Sequence, residues 1–141
     1  MKYTLKTVTF RAAEPQGPSI DGPTAAVRIL HELLDGLDQD REHFIVLALN
    51  CRGRTIGYQV VATGTATSCL VHPREVFRGA LALGAHAIIV AHNHPSNDVE
   101  PSLEDMGLTR RLIDSGEILG IPVVDSIVIT ANGDHRSMVE A

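Results

Sequence analysis

The stretch Ala87–Pro95 has the sequence AIIVAHNHP, a short apolar run that ends in two histidines. The apolar part has the length of a buried strand, so we predict a strand over 86–91 and a polar loop over 92–101. In an extended backbone, side chains two residues apart point the same way, and the imidazoles of His92 and His94 can therefore converge on one point. Because imidazole is the commonest metal ligand, the stretch predicts both a core strand and a metal site.

Asp105 follows the two histidines in the first turn of a helix predicted over 102–119, where its carboxylate can face the same point. Two histidines and one carboxylate leave a fourth tetrahedral position open, which is typical of a catalytic zinc site. A zinc ion would lower the pKa of water bound there to about 7. The spacing from Ser102 to Asp105 is equally typical of a helix cap, and both interpretations stay open on spacing alone.

The remaining elements are predicted from apolar periodicity and from turn residues. Further strands are predicted at 2–10, 43–50, 55–63, 67–71 and 122–130, a loop at 11–22, helices at 23–37 and 73–83, and a short last strand after Asn132-Gly133. The two strands on either side of the turn at residues 50–53 form a hairpin in this prediction. The pattern indicates an α/β fold, a single domain over 23–141 with a mixed β-sheet flanked by helices, preceded by an N-terminal strand and loop over 1–22.

Composition restricts the class of protein. A chain of 141 residues has the size of one domain, and its net charge of −5 does not support binding to nucleic acid through bulk electrostatics. Cys51 and Cys69 are the only cysteines, too few for a secreted disulfide scaffold and without the Pro-Cys-x-x-Cys pair of zinc deaminases. The sequence has neither a signal-peptide core nor a membrane span, so we expect a cytoplasmic protein that does not bind a membrane.

The metal-site stretch resembles a known protein family. The pattern His-x-His-Pro-x6-Ser-x2-Asp, which begins at His92 and ends at Asp105, is similar to that of the JAB1/MPN/Mov34 metalloproteases, also called JAMM proteins. Further matching words are Gly64-Thr65, Val71–Phe77, His92–Ser96 and Glu100–Ser102, and these resemble the RadC-like branch over residues 24–139. The resemblance implies a JAB1/MPN architecture, whose sheet is similar to that of the cytidine deaminases.

This resemblance implies a role for each matched residue. His92, His94 and Asp105 would bind Zn²⁺. Ser102 would hydrogen-bond the bound water or the developing oxyanion, which is the stabilisation that hydrolysis needs. A glutamate before the first buried strand would be the general base, and in this sequence that residue is Glu42.

Three residues leave questions open. Glu75 competes with Glu42 for the role of general base, although an acid in a first helical turn is also explained by the helix dipole. Asn97 stands where the RadC-like branch usually has glycine, and asparagine tolerates the left-handed backbone that glycine adopts. Ser126 stands where the branch usually has histidine, which removes one imidazole from that position.

The function predicted from the motif and its resemblance is hydrolysis of amide or isopeptide bonds by metal-activated water, with a peptide or a protein conjugate as substrate. One alternative is a DNA-repair-associated factor or nuclease, which the acidic net charge does not favour. The other is a zinc-binding interaction module without catalytic activity. The sequence specifies neither the substrate nor the oligomeric state.

Overall fold

The sheet and its helices follow the predicted order in the computed structural model, which describes residues 11–12, 17–64 and 71–139. The elements are β1 (Arg11–Ala12), α1 (Pro23–Asp35), β2 (His43–Leu49), β3 (Thr55–Thr63), α2 (Pro73–Leu83), β4 (Ala87–Asn93), α3 (Leu103–Leu119), β5 (Val123–Ile129) and β6 (His135–Ser137). Helices α1 and α2 both begin at a proline, a residue whose fixed φ and missing N–H suit the first helical position.

Strands β2 and β4 form the centre of the sheet. Across the described residues the strand order is β1-β3-β2-β4-β5-β6, and the pair β4–β5 is parallel while the other pairs are antiparallel. The predicted α/β class, the mixed sheet and the β2–β3 hairpin are therefore confirmed. Every residue of β2 and of β4 is buried, because helices cover both faces of the sheet.

The two faces of the sheet carry separate apolar clusters, since successive side chains of a strand point to opposite sides. The first cluster packs against α1 and includes Ile45, Leu47, Ile89 and Ala91. The second packs against α2 and α3 and includes Phe44, Val46, Ile88 and Val90. Glu42 lies two residues before Phe44, and His92 lies two residues after Val90. Both side chains therefore point to the second face, near the beginning of α3.

Several predicted boundaries are wrong. Strand β4 continues to Asn93 instead of ending at residue 91, because β5 runs beside it and pairs Asn93 with Ile129. Arg11–Ala12 was predicted as loop, but it pairs with β3 at the edge of the sheet. The predicted strand 2–10 and residues 67–70 of another predicted strand lie outside the described residues, and the domain boundary after residue 22 stays a prediction. None of the described helices has the length and apolar character needed to cross a membrane.

Candidate metal centre

His92 lies in β4, where the sheet fixes its position. The antiparallel register pairs it with Phe44 of β2, and the two rings stack with centroids 6.1 Å apart and planes only 9° from parallel. The residue is 4% exposed. Its Nε2 atom lies 3.1 Å from the Nε2 atom of His94. The convergence of the two imidazoles predicted from their spacing is therefore present.

His94 follows the end of β4 and is oriented by the loop that comes after it. Its Nδ1 atom lies 2.7 Å from the carbonyl oxygen of Asp98 and donates to it, because a carbonyl can only accept. The loop reaches this position through Asn97, whose φ of 64° is the left-handed conformation that asparagine tolerates. The hydrogen bond at Nδ1 leaves Nε2 to face the other imidazole, an arrangement usual among metal-binding histidines.

Asp105 belongs to the helix cap and to the histidine cluster at the same time. Its N–H donates to the Ser102 hydroxyl at 3.0 Å, and its Oδ2 atom accepts from the Ser102 N–H at 2.9 Å, which completes a capping box. The same carboxylate places Oδ1 3.2 Å from the Nε2 atom of His92 and Oδ2 3.1 Å from that of His94. The two interpretations that spacing left open are therefore compatible in one structure.

The distances among these atoms fit a small divalent cation. In a tetrahedral zinc site with bonds of about 2.0–2.2 Å, neighbouring ligand atoms lie about 3.3–3.6 Å apart. The two Nε2 atoms are 3.1 Å apart, and each lies 3.1 or 3.2 Å from an oxygen of Asp105. Two imidazole nitrogens and the carboxylate of Asp105 therefore approach one another closely, with Oδ1 nearest His92 and Oδ2 nearest His94. The cluster could hold a metal ion.

Glu42 completes a group of four candidate ligands, and its carboxylate lies farther from His92 than the carboxylate of Asp105 does. Its carboxylate and the three residues above supply ligand atoms that all lie within 4.8 Å of one another. The Oε1 atom is 4.0 Å from the Nε2 atom of His92, farther than the separations among the other three side chains. The residue is 6% exposed, and the metal-ligating group found among the described residues does not include Glu75. The geometry therefore favours Glu42 over Glu75 as the carboxylate next to a metal.

The charges of the cluster are strongly coupled. Burial raises the pKa of Glu42, and the two nearby imidazoles offset only part of this effect. For Asp105 burial acts in the same direction, but the hydrogen bonds from His92 and His94 outweigh it and hold the pKa of that carboxyl well below its usual range. The hydrogen bond to Asp105 raises the pKa of His94 against the opposite effect of burial. Asp105 is therefore an ionised acceptor at neutral pH.

Two further buried polar residues lie near these elements. Asn93 is 2% exposed, and its side chain bonds the backbone on both sides of Glu42, a contact that the sequence did not predict. Because the sequence analysis placed Asn93 in a polar loop, it gave no signal that this amide is buried and must find partners. Ser126 lies within hydrogen-bond distance of Thr109, with 2.8 Å between their hydroxyl oxygens. Ser126, which stands where the RadC-like branch usually has histidine, thus links β5 to α3 through this contact.

Comparison with known proteins finds one matching family and several similar bacterial proteins. The family described as RadC-like JAB domain matches residues 20–141. A UPF0758 protein of Trichormus variabilis is 46% identical over 94% of this chain and 53% of the relative. UPF0758 proteins of Trichodesmium erythraeum and Desulforamulus reducens are 43% and 41% identical, over 92% and 94% of this chain and 52% and 61% of the relatives. The chain thus spans about half the length of the curated relatives it matches.

Proposed function

We propose that this chain, which belongs to the family of RadC-like JAB domains, is a zinc-dependent hydrolase of amide or isopeptide bonds. The observation that carries the proposal is the convergence of His92, His94 and Asp105 beside a fourth carboxylate, that of Glu42, which lies farther from His92. A structural zinc site uses four protein ligands, whereas three ligands and an open position are typical of catalytic sites. The donor set of two imidazoles and one carboxylate is common to zinc hydrolases.

In the proposed reaction, the metal activates the substrate and the water, and Glu42 transfers the proton. When bound, zinc would polarise the scissile carbonyl and acidify a coordinated water. Glu42 would accept a proton from the attacking water at its Oε1 atom and pass that proton to the nitrogen of the leaving amine. Its raised pKa suits both steps, because a carboxyl that titrates nearer neutrality can give the proton back.

Ser102 would stabilise charge on the substrate. Its hydroxyl oxygen accepts the N–H of Asp105, and a hydroxyl that accepts still has its own proton to donate. In the proposed reaction this proton is directed at the carbonyl oxygen of the substrate as negative charge develops there. The cap of α3 thus fixes the hydroxyl for its catalytic role.

The proposed substrate is a peptide or a protein conjugate, and the proposed location is the cytoplasm. No feature of the described residues favours the alternative of a DNA-repair factor or nuclease. A zinc-binding module without activity remains the contrasting outcome of the experiment below.

The test measures zinc content and cleavage on the same preparations. The probes are a library of internally quenched peptides and a peptide with a lysine isopeptide bond. We expect about one zinc per chain and cleavage in the wild type, and zinc without cleavage in Glu42→Gln. The double variant His92→Ala/His94→Ala is expected to lose both, whereas the exposed His86 is a matched control whose change to alanine leaves both unaltered.

Two results would count against the proposal in different ways. Full zinc content in the double histidine variant would remove the metal site itself. Stoichiometric zinc in the wild type without cleavage of any probe would instead favour the non-catalytic module.

A further inference from the structure

The backbone pairing of β2 with β4 ends just before the proposed catalytic base. Paired residues run from Leu49 opposite Ala87 to Phe44 opposite His92. The next residues toward the N-terminus, His43 and Glu42, lie beyond the last of these pairs. On its other side this segment is held by β3, where His43 pairs with Thr63, so the question is which contact fixes it relative to the strand that carries the histidines.

The side chain of Asn93 supplies that contact. Its Oδ1 atom accepts the N–H of His43 at 2.7 Å, and its Nδ2 atom donates to the carbonyl oxygen of Arg41 at 2.9 Å. One planar amide therefore binds the residues on both sides of Glu42, as a neighbouring peptide unit of a β-ladder would. The carbonyl oxygen of Glu42 itself accepts the N–H of Gly64 at 2.8 Å.

These three bonds fix the backbone around Glu42 from two directions. The strand that carries Asn93 also carries His92, so the same short piece of chain holds the base and a metal ligand. The result is a carboxylate with its Oε1 atom 4.0 Å from the Nε2 atom of His92. Asn93 is 2% exposed, and its bond to His43 is buried while its bond to Arg41 is partly buried, so the two bonds together define the orientation of the amide.

We propose that Asn93 is a positioning residue, which holds the Glu42 carboxylate at its working distance from the metal ligands without touching substrate or metal. The inference rests on the proposed function, since it assigns Asn93 a part in the same reaction. Asparagine suits this task because its amide both donates and accepts. An aspartate would place a carboxylate against the carbonyl oxygen of Arg41, two acceptors with no proton between them.

The test compares Asn93→Asp with the wild type in catalysis, metal binding and structure. We expect kcat to fall by about 10- to 100-fold, because a displacement of about 1 Å in a catalytic group has effects of that size. KM is expected to stay constant and zinc affinity to change by less than about threefold, because the ligand atoms are untouched. A crystal structure of the variant should show Glu42 displaced from His92.

A merely structural role predicts a different pattern. The melting temperature would fall, while kcat of the folded variant and the Glu42–His92 distance would stay as in the wild type, and this result would overturn the proposal. Should Asn93→Asp fail to fold, Asn93→Ser gives the same comparison without a buried charge. Displacement of Glu42 in a chain that cleaves none of the probes would sustain the positioning role and remove only the hydrolase function.

Discussion

The capping box of α3 allows two roles of one carboxylate to be separated by experiment. Asp105 caps the helix and is assigned to the metal, whereas the Ser102 side chain caps the helix and has no assigned role in binding the metal. We compare Ser102→Ala, which removes one capping bond, with Asp105→Asn, which keeps an oxygen for the N–H of Ser102 but loses the negative charge. Each variant is melted with and without zinc.

The expected shifts follow from the size of the chain and from the bonds removed. Loss of a capping side chain costs about 1 kcal/mol. At about 2.1 cal/mol/K per residue, unfolding of 141 residues has an entropy of about 0.3 kcal/mol/K, so this loss lowers Tm by about 3 °C. Zinc at a hundred times its Kd stabilises the folded state by about 2.7 kcal/mol, which raises Tm by about 9 °C.

Ser102→Ala should therefore melt about 3 °C lower than the wild type in both conditions and keep the zinc-induced rise of about 9 °C. In Asp105→Asn, a site weakened a hundredfold would leave about 0.4 kcal/mol of stabilisation at the same zinc concentration, a rise of only about 1 °C. Differential scanning calorimetry at fixed zinc concentration measures both. An undiminished zinc-induced rise in Asp105→Asn would refute the assignment of Asp105 as a ligand.

Three further outcomes are expected. Zinc affinity should fall as pH is lowered through the raised pKa of His94, because the proton on Nε2 must leave before that nitrogen can bind a metal; competition titrations that give one Kd between pH 5.5 and 8 would contradict this. Removal of the metal with a chelator should lower Tm but leave the far-ultraviolet circular dichroism unchanged. Gly116→Ala should cost about 1–3 kcal/mol in urea unfolding, because the added methyl group would collide with the carbonyl oxygen of Ile121, whereas Gly107→Ala on the same helix has open space and should be neutral or stabilising.

The convergence of His92, His94 and Asp105 could be predicted from sequence because its geometry is mostly local. His92 and His94 are two residues apart in extended backbone. Asp105 lies in the first turn of α3, and Ser102, a typical N-cap residue, marks the start of that helix in the sequence. The class of fold was predictable for a similar reason, since apolar runs and turn residues define each element by itself. The prediction of β-strand length was poorer, because the end of β4 depends on the partner strand β5.

The position of Glu42 beside the histidines could not be predicted from local sequence patterns. Glu42 lies fifty residues before His92, and no spacing rule brings the two together, so only the resemblance to RadC-like proteins singled it out. The register of β2 against β4 places it at the cluster, and that register is a property of the assembled sheet. Asn93 was missed for the same reason, because the backbone groups of Arg41 and His43 that it binds are distant from it in sequence.

The overlap of helix cap and metal ligand has a consequence for how the site is assembled. The N–H of Ser102 and the imidazole of His94 both bind Oδ2 of Asp105, so residues of the fold orient the carboxylate. The positive end of the α3 dipole stabilises its charge as well. Such a carboxylate attracts protons weakly and is ionised at neutral pH. In the proposed function, the capping box of α3 therefore orients the same carboxylate that would bind zinc.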